Sequence, residues 1–207
     1  VVIPRRQVCC GTAPLYLGDT AAWKKLSSKN IRAFRREGVD AIVTPCATCG
    51  TALKEEYGHW YGGGENVLGA RVYDISEFLA DKSLAGGRRE EKAAYHDPCH
   101  LRFAQGIWKE PRDVLSRFAQ VVEQDEEGGC CGGAGMFSVL YPHLSGAIGE
   151  ERSRTLSGTG ARVVVTSCPG CVMQLRTVLP CSVAVKHLVE VVEEGLARFP
   201  PRSPRDP

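Results

Sequence analysis

Two stretches of this sequence, CCGTAPLYLGD from Cys9 and CCGGAGMFSVL from Cys130, open alike and lead through one ordered series of features. Past each lies a helix-like stretch, then an apolar run into a CxxC: DAIVTPCATC in the first copy, ARVVVTSCPGC in the second. Cys10 and Cys46 are separated by 35 residues, Cys131 and Cys168 by 36. Another helix follows each CxxC, TALKEEYGHW or VMQLRTVL. Next comes a short strand running into a helix, ARVYDISEFLAD or VAVKHLVEVVEEGLARF. An internal repeat of this order constrains the fold before any single residue does, because each copy must build the same supersecondary unit.

The second copy carries one element more. AAYHDPCHL reads as a strand passing through Asp97 and Pro98 to Cys99, ahead of Cys130. Its counterpart in the first copy would lie upstream of Val1, so the chain is expected to begin inside a repeat, as a piece of a longer polypeptide. IVTP, RVYD, AAYH and VVVTS are short buried-type strands, each followed by a helical segment. That alternation predicts an α/β fold: two tandem pseudo-repeats of strand–helix units with mostly parallel sheets. The copies are expected over residues 1–87 and 88–197, with Gly86-Gly87 and RREEK at their boundary. Residues 198–207, Pro- and Arg-rich, are expected to be a disordered tail. Functional residues of such sheets gather at the carboxyl ends of strands, and Cys46, Cys99 and Cys168 stand there.

Lys and Arg number 26 against 24 Asp and Glu, so no basic excess points to nucleic acid. No segment approaches the roughly 18–20 apolar residues of a membrane span. The opening VVIPRRQVCC lacks the order of a signal peptide. A cytoplasmic location is expected, with any attachment to the inner face of the membrane made through partners. Against that background ten cysteines are many, and their clustering favours metal or redox work over a secreted disulfide scaffold. Neighbouring cysteines are poorly placed to bridge each other, since a relaxed disulfide needs Cα atoms about 4.4–6.8 Å apart.

A thioredoxin-like site would use one CxxC and leave the CCG stretches and Cys99 unexplained. A zinc deaminase would need an upstream H-x-E, and no histidine precedes Cys46. A structural zinc takes four ligands, which Cys9, Cys10, Cys46 and Cys49 could supply. The second copy offers five: Cys99, Cys130, Cys131, Cys168 and Cys171. Five exceed one zinc, whereas a polynuclear iron–sulfur cluster can use them. Glycines at 128, 129, 132, 133 and 135 allow unusual dihedrals and let main-chain amides approach the sulfurs.

The pattern C-x30-CC-x36-C-x2-C resembles the cysteine-rich CCG domain found in heterodisulfide reductase. NIRAFRREGVDAIV, LKEEYG, YDISEFLAD, YHDPCHL, CCGGAGMF and GARVVVTSCPGC resemble more closely the iron–sulfur subunit of glycolate oxidase and related lactate dehydrogenases. The likeness covers about residues 1 to 197. It implies an electron-transfer role beside a flavin-containing 2-hydroxy-acid dehydrogenase subunit and a ferredoxin-type iron–sulfur module, with electrons passed towards quinone or another carrier. Disulfide reduction at the cluster, as in heterodisulfide reductase, is the alternative within that family; a zinc-stapled assembly module is the alternative outside it. In heterodisulfide reductase such five-cysteine motifs hold noncanonical [4Fe-4S] clusters, which assigns Cys99, Cys130, Cys131, Cys168 and Cys171 to one here. The first site, lacking a fifth cysteine, is expected to hold an iron–sulfur cluster or zinc, or to stay empty.

His96 and His100 flank the Asp97-Pro98-Cys99 turn and are candidate donors to cluster sulfur. Cys181 fits no motif and is expected to be a buried structural thiol. Met136 and Phe137 are expected to pack over the second site and shield it.

Overall fold

A computed structural model describes residues 1–63, 67–84, 87, 90–124 and 129–198. The expected tail beyond 198, Gly86, Arg88 and Arg89 of the expected boundary, and Gly128 lie outside the described residues. The chain forms two compact units, Val1–Asp74 and Ile75–Pro207.

In the first unit the order is α1 (Thr12–Tyr16), α2 (Thr20–Glu37), β1 (Ala41–Thr44), α3 (Ala47–Thr51), a π-helical turn (Ala52–Glu56), α4 (Tyr57–Tyr61) and β2 (Arg71–Asp74). The two strands pair in parallel, Ala41 opposite Arg71 and Thr44 opposite Asp74. Helix α2 is closed at both ends by sequence. The Asp19 carboxylate accepts the Ala22 amide, and Gly38 takes the left-handed conformation after the basic last turn of Arg35 and Arg36. Its inner face sets Trp23 edge-on against Tyr57, ring centroids 5.1 Å apart, in a core with Ile42, Leu53, Leu68 and Val72. Lys24, Lys25, Arg35 and Arg36 lie on the opposite, more solvated side.

The second unit contains α5 (Ile75–Ala80), β3 (Lys92–Tyr95), a π-helical turn (His100–Ala104), α6 (Lys109–Ser116), β4 (Gln120–Val122), α7 (Phe137–Leu140), α8 (Pro142–Gly158), β5 (Val163–Thr166), α9 (Pro169–Val178), β6 (Ala184–His187) and α10 (Leu188–Arg198). Its sheet is wholly parallel in the order β4-β3-β5-β6. Strand β5, VVVT, is buried at every position, as a central strand covered on both faces must be. Val114, Leu115, Phe118, Leu188, Val191 and Val192 pack against Ala93, Tyr95, Val163 and Val165.

The parallel α/β architecture is the expected one, and the four strands read from sequence lie within one residue of β1, β2, β3 and β5. Helix α5 belongs with the second unit. The Arg117 guanidinium donates to the Ala80 and Lys82 carbonyls, tying the end of α5 to the end of α6. Two expectations are corrected. Cys181 is exposed, because it sits in the turn closed by the Val183 amide on the Pro180 carbonyl. Met136 is also exposed. Helix α7 buries no residue, and the Phe137 ring lies against Tyr141.

Candidate metal centre

In each unit a strand delivers its CxxC to the start of a helix. Cys46 is the N-cap of α3 after β1, and Cys168 the N-cap of α9 after β5. The Cys49 amide donates to Cys46 Sγ at 3.5 Å.

In the second unit the fold gathers all five candidate thiols. Cys131 Sγ and Cys171 Sγ are 3.5 Å apart. Side-chain hydrogen bonds join Cys99 to Cys130, Cys130 to Cys131, and Cys171 to Cys168. Two thiolates sharing one tetrahedral metal at about 2.3 Å would lie about 3.8 Å apart, so the closest pair is near the spacing of a shared metal. Cys131, Cys168 and Cys171 are buried, Cys99 is partly buried, and Cys130 is exposed. The Gly132 and Gly133 amides donate to Cys130 Sγ and Cys131 Sγ at 3.3 and 3.4 Å.

Gly132 makes this loop possible. Its φ is +84°, and an added Cβ would stand 2.4 Å from the Ser145 carbonyl oxygen. In return the Ser145 hydroxyl donates to the Gly132 carbonyl at 2.8 Å, and Gln174 Nε2 donates to that hydroxyl. Gly11, the matching residue of the first unit, has φ +92°.

The first unit links Cys9 to Cys10, Cys10 to Cys49 and Cys49 to Cys46 through side-chain hydrogen bonds. Its CCG segment is held by two residues that sequence reasoning did not single out. Asn30, buried, donates to the Val8 and Cys9 carbonyls and accepts the Val8 amide. Tyr57 donates to the Cys10 carbonyl at 2.9 Å and accepts from Asn30. Both lie inside stretches already quoted, NIRAFRREGVDAIV and LKEEYG, but their partners are more than twenty residues away.

The thiols divide their protons. Hydrogen bonds from Cys131 and Cys99, aided by the Gly132 amide, hold Cys130 far below its ordinary value. The Cys49 hydrogen bond brings Cys10 down to about 5. Cys131 is pushed up to about 11 by its bond to Cys130. Cys99 and Cys171 are raised through their bonds to Cys130 and Cys131, respectively, and by burial. Cys99, Cys131 and Cys171 therefore keep their protons near neutral pH in the absence of metal. Thiolates are the ligating form, so loading must expel those protons. The expected outcome is acid release on titrating Zn²⁺ into the metal-free chain, with apparent affinity rising as pH rises; pH-stat titration checks both.

Buried polar residues flank the site: His96 and Asp97 precede Cys99, Thr166 and Ser167 precede Cys168, Ser145 bonds the Gly132 carbonyl, and Arg152 lines a cleft with Cys130. Asp97 is clamped by Arg112, whose Nη1 and Nη2 reach its two oxygens at 2.7 and 2.8 Å, and by Arg102 at 3.1 Å. His100 gives Cys99 its main-chain amide. A ring nitrogen of His96 and the sulfurs of Cys131 and Cys171 all lie within 4.8 Å of one another. His96 Nε2 is buried without a hydrogen-bond partner among the described residues. Five thiols, three amides donating to sulfur and an unsatisfied buried ring nitrogen fit a sulfur-ligated metal group.

A family model described as the cysteine-rich CCG domain matches residues 1–54 and 93–176. The chain is similar to a component of the dihydromethanophenazine:CoB–CoM heterodisulfide reductase of Methanosarcina barkeri, at 32% identity over 91% of this chain and 49% of that one. It is 29% identical to a probable glycolate oxidase iron-sulfur subunit of Bacillus subtilis, over 94% of this chain and 48% of that one. Lactate utilization protein A 2 of Bacillus cereus is 29% identical, over 94% of this chain and 86% of its own length. The chain spans a third to a half of the length of several of these curated relatives, among them an uncharacterized iron-sulfur protein of Methanocaldococcus jannaschii. No described helix is long and apolar enough to cross a membrane.

Proposed function

Because this chain belongs to the cysteine-rich CCG-domain family, we propose that it is an iron–sulfur electron-transfer region of a 2-hydroxy-acid oxidase or dehydrogenase complex. The observation that carries the reading is the convergence of Cys99, Cys130, Cys131, Cys168 and Cys171 from three separate parts of the second unit. These five would hold a [4Fe-4S] cluster in the second repeat, 88–197. Cys9, Cys10, Cys46 and Cys49 of the first repeat, 1–87, would hold a further cluster or a zinc ion. A bound cluster accepts and returns single electrons.

The chain's own residues supply the setting for that exchange. Main-chain amides of Gly132, Gly133 and His100 donate to sulfur. His96, Asp97, Thr166 and Ser167, next to the cysteines in sequence, are buried from bulk water, while exposed Cys130 is open to a partner. Upstream partners in this reading are a flavin-containing dehydrogenase subunit and a ferredoxin-type module; downstream is quinone or another carrier. The related oxidoreductase subunits support a partnered role of this kind.

A second reading has one observation in its favour. A cleft of about 370 Å³ opens beside Cys130, lined also by Ile148, Glu151, Arg152 and Thr155. A small disulfide could reach the sulfur edge there, as disulfide reduction at the cluster requires. Electron paramagnetic resonance on the anaerobic, loaded chain separates the readings. Reduction by dithionite is expected to produce a cluster signal that persists when a thiol heterodisulfide is added. Loss of that signal with release of two thiols would favour disulfide reduction, and the absence of any signal would favour a zinc module.

A further inference from the structure

His96 and Arg152 are 56 residues apart in sequence, yet Arg152 Nε donates to His96 Nδ1 at 3.0 Å inside the protein, Arg152 being 3% and His96 1% exposed. That contact decides the state of the ring. A nitrogen that accepts an N–H bond carries no proton, so Nδ1 is the bare nitrogen and the ring is neutral. The proton then sits on Nε2, the atom left buried with no partner among the described residues. The backbone at this position is fixed as well, since the His96 amide donates to the Val165 carbonyl at 2.8 Å and extends the β3–β5 ladder by one residue. An N–H at Nε2 has no lone pair to give a metal.

We propose that Arg152 is a positioning residue that locks His96 as its Nε2–H tautomer, making His96 a hydrogen-bond donor to sulfur of the second metal centre and barring it from ligation. This rests on the cluster reading above and extends it to residues outside the ligand set. A donor to sulfur stabilises the more negative, reduced cluster, so the pair raises the reduction potential. The nearest sulfurs are those of Cys131 and Cys171, which lie within 4.8 Å of a ring nitrogen of His96; among the described residues Nε2 bonds to neither.

The test uses the full chain, cluster-loaded, labelled with ¹⁵N-histidine and reduced in H₂O or ²H₂O. Pulsed electron–nuclear double resonance is expected to show an exchangeable proton coupled to the cluster, with only weak ¹⁵N coupling. His96→Leu loses that proton and lowers the potential. His96→Gln, which keeps an amide N–H at similar reach, restores much of both. Arg152→Leu frees the ring to take either tautomer and weakens the proton coupling, and Arg152→Lys, again a donor to Nδ1, recovers it. Strong ¹⁵N coupling of a bound nitrogen overturns the proposal. So does an unchanged potential and proton coupling in His96→Leu at full iron and sulfide content. A wild-type chain without iron and sulfide overturns the cluster reading and the proposal together, and that result is distinguished by the metal analysis.

Discussion

Asp97→Ala destabilises the second unit by about 3–5 kcal/mol, the usual cost of removing one partner from a buried ion pair. Asp97 is 1% exposed, and its two oxygens receive both terminal nitrogens of Arg112 and one of Arg102. Arg112 also lies over the Tyr95 ring at 5.2 Å and reaches Glu123 on the surface. Without Asp97 its charge is held where little water reaches, with one exposed carboxylate left to compensate. Chemical denaturation of wild type and variant measures the loss, which corresponds to a melting point lower by about 10 °C for a chain of this size. Much of the cost is the stranded charge, so adding Arg112→Met recovers part of it. A single variant as stable as wild type contradicts this account of the turn before Cys99.

Gly132→Ala abolishes metal loading at the second site. Two costs fall on one atom. A non-glycine residue at φ +84° is strained by about 1–3 kcal/mol. The new Cβ also meets the Ser145 carbonyl oxygen at 2.4 Å, backbone that cannot rotate aside. The loop must shift, and with it go the Ser145 bond to Gly132 and the amides aimed at Cys130 and Cys131. The expected result is a folded chain whose metal content falls by the second site's share, with the first unit's cysteines unaffected. Circular dichroism and metal analysis read the two quantities separately. Full loading of the variant contradicts the role given to the loop.

Much of this architecture is visible in the sequence because its signals are local. The strands before Cys46 and Cys168 are short apolar runs, and the repeated CxxC marks where each meets a helix. Strand β4 is not visible: three residues, Gln120–Val122, pair with β3 only at the sheet edge, and so short a run has no period to detect. Cys181 and Met136 mislead for one reason, that composition does not say whether a turn or a short helix faces inward. The candidate thiols are legible as a set because spacing carries them. What holds them is not. Asn30 and Tyr57 pin the first CCG segment across 21 and 47 residues, and Arg112 reaches Asp97 across 15. A polar residue inside a helix reads as a solvated face until its partner's position in space is known. Arg152 on α8 is such a case, identified only by its contact with His96.

The account turns on whether the gathered thiols hold iron and sulfide. The direct measurement is anaerobic iron, zinc and acid-labile sulfide analysis of the purified chain, wild type beside Cys131→Ser. Cys131 is buried, 3.5 Å from Cys171 and bonded to Cys130, so its thiol is the one the site can least do without. The account predicts several irons with matching sulfide in the wild type, and loss of the second site's share in the variant. Zinc without sulfide in the wild type, or unchanged iron and sulfide in Cys131→Ser, would contradict it.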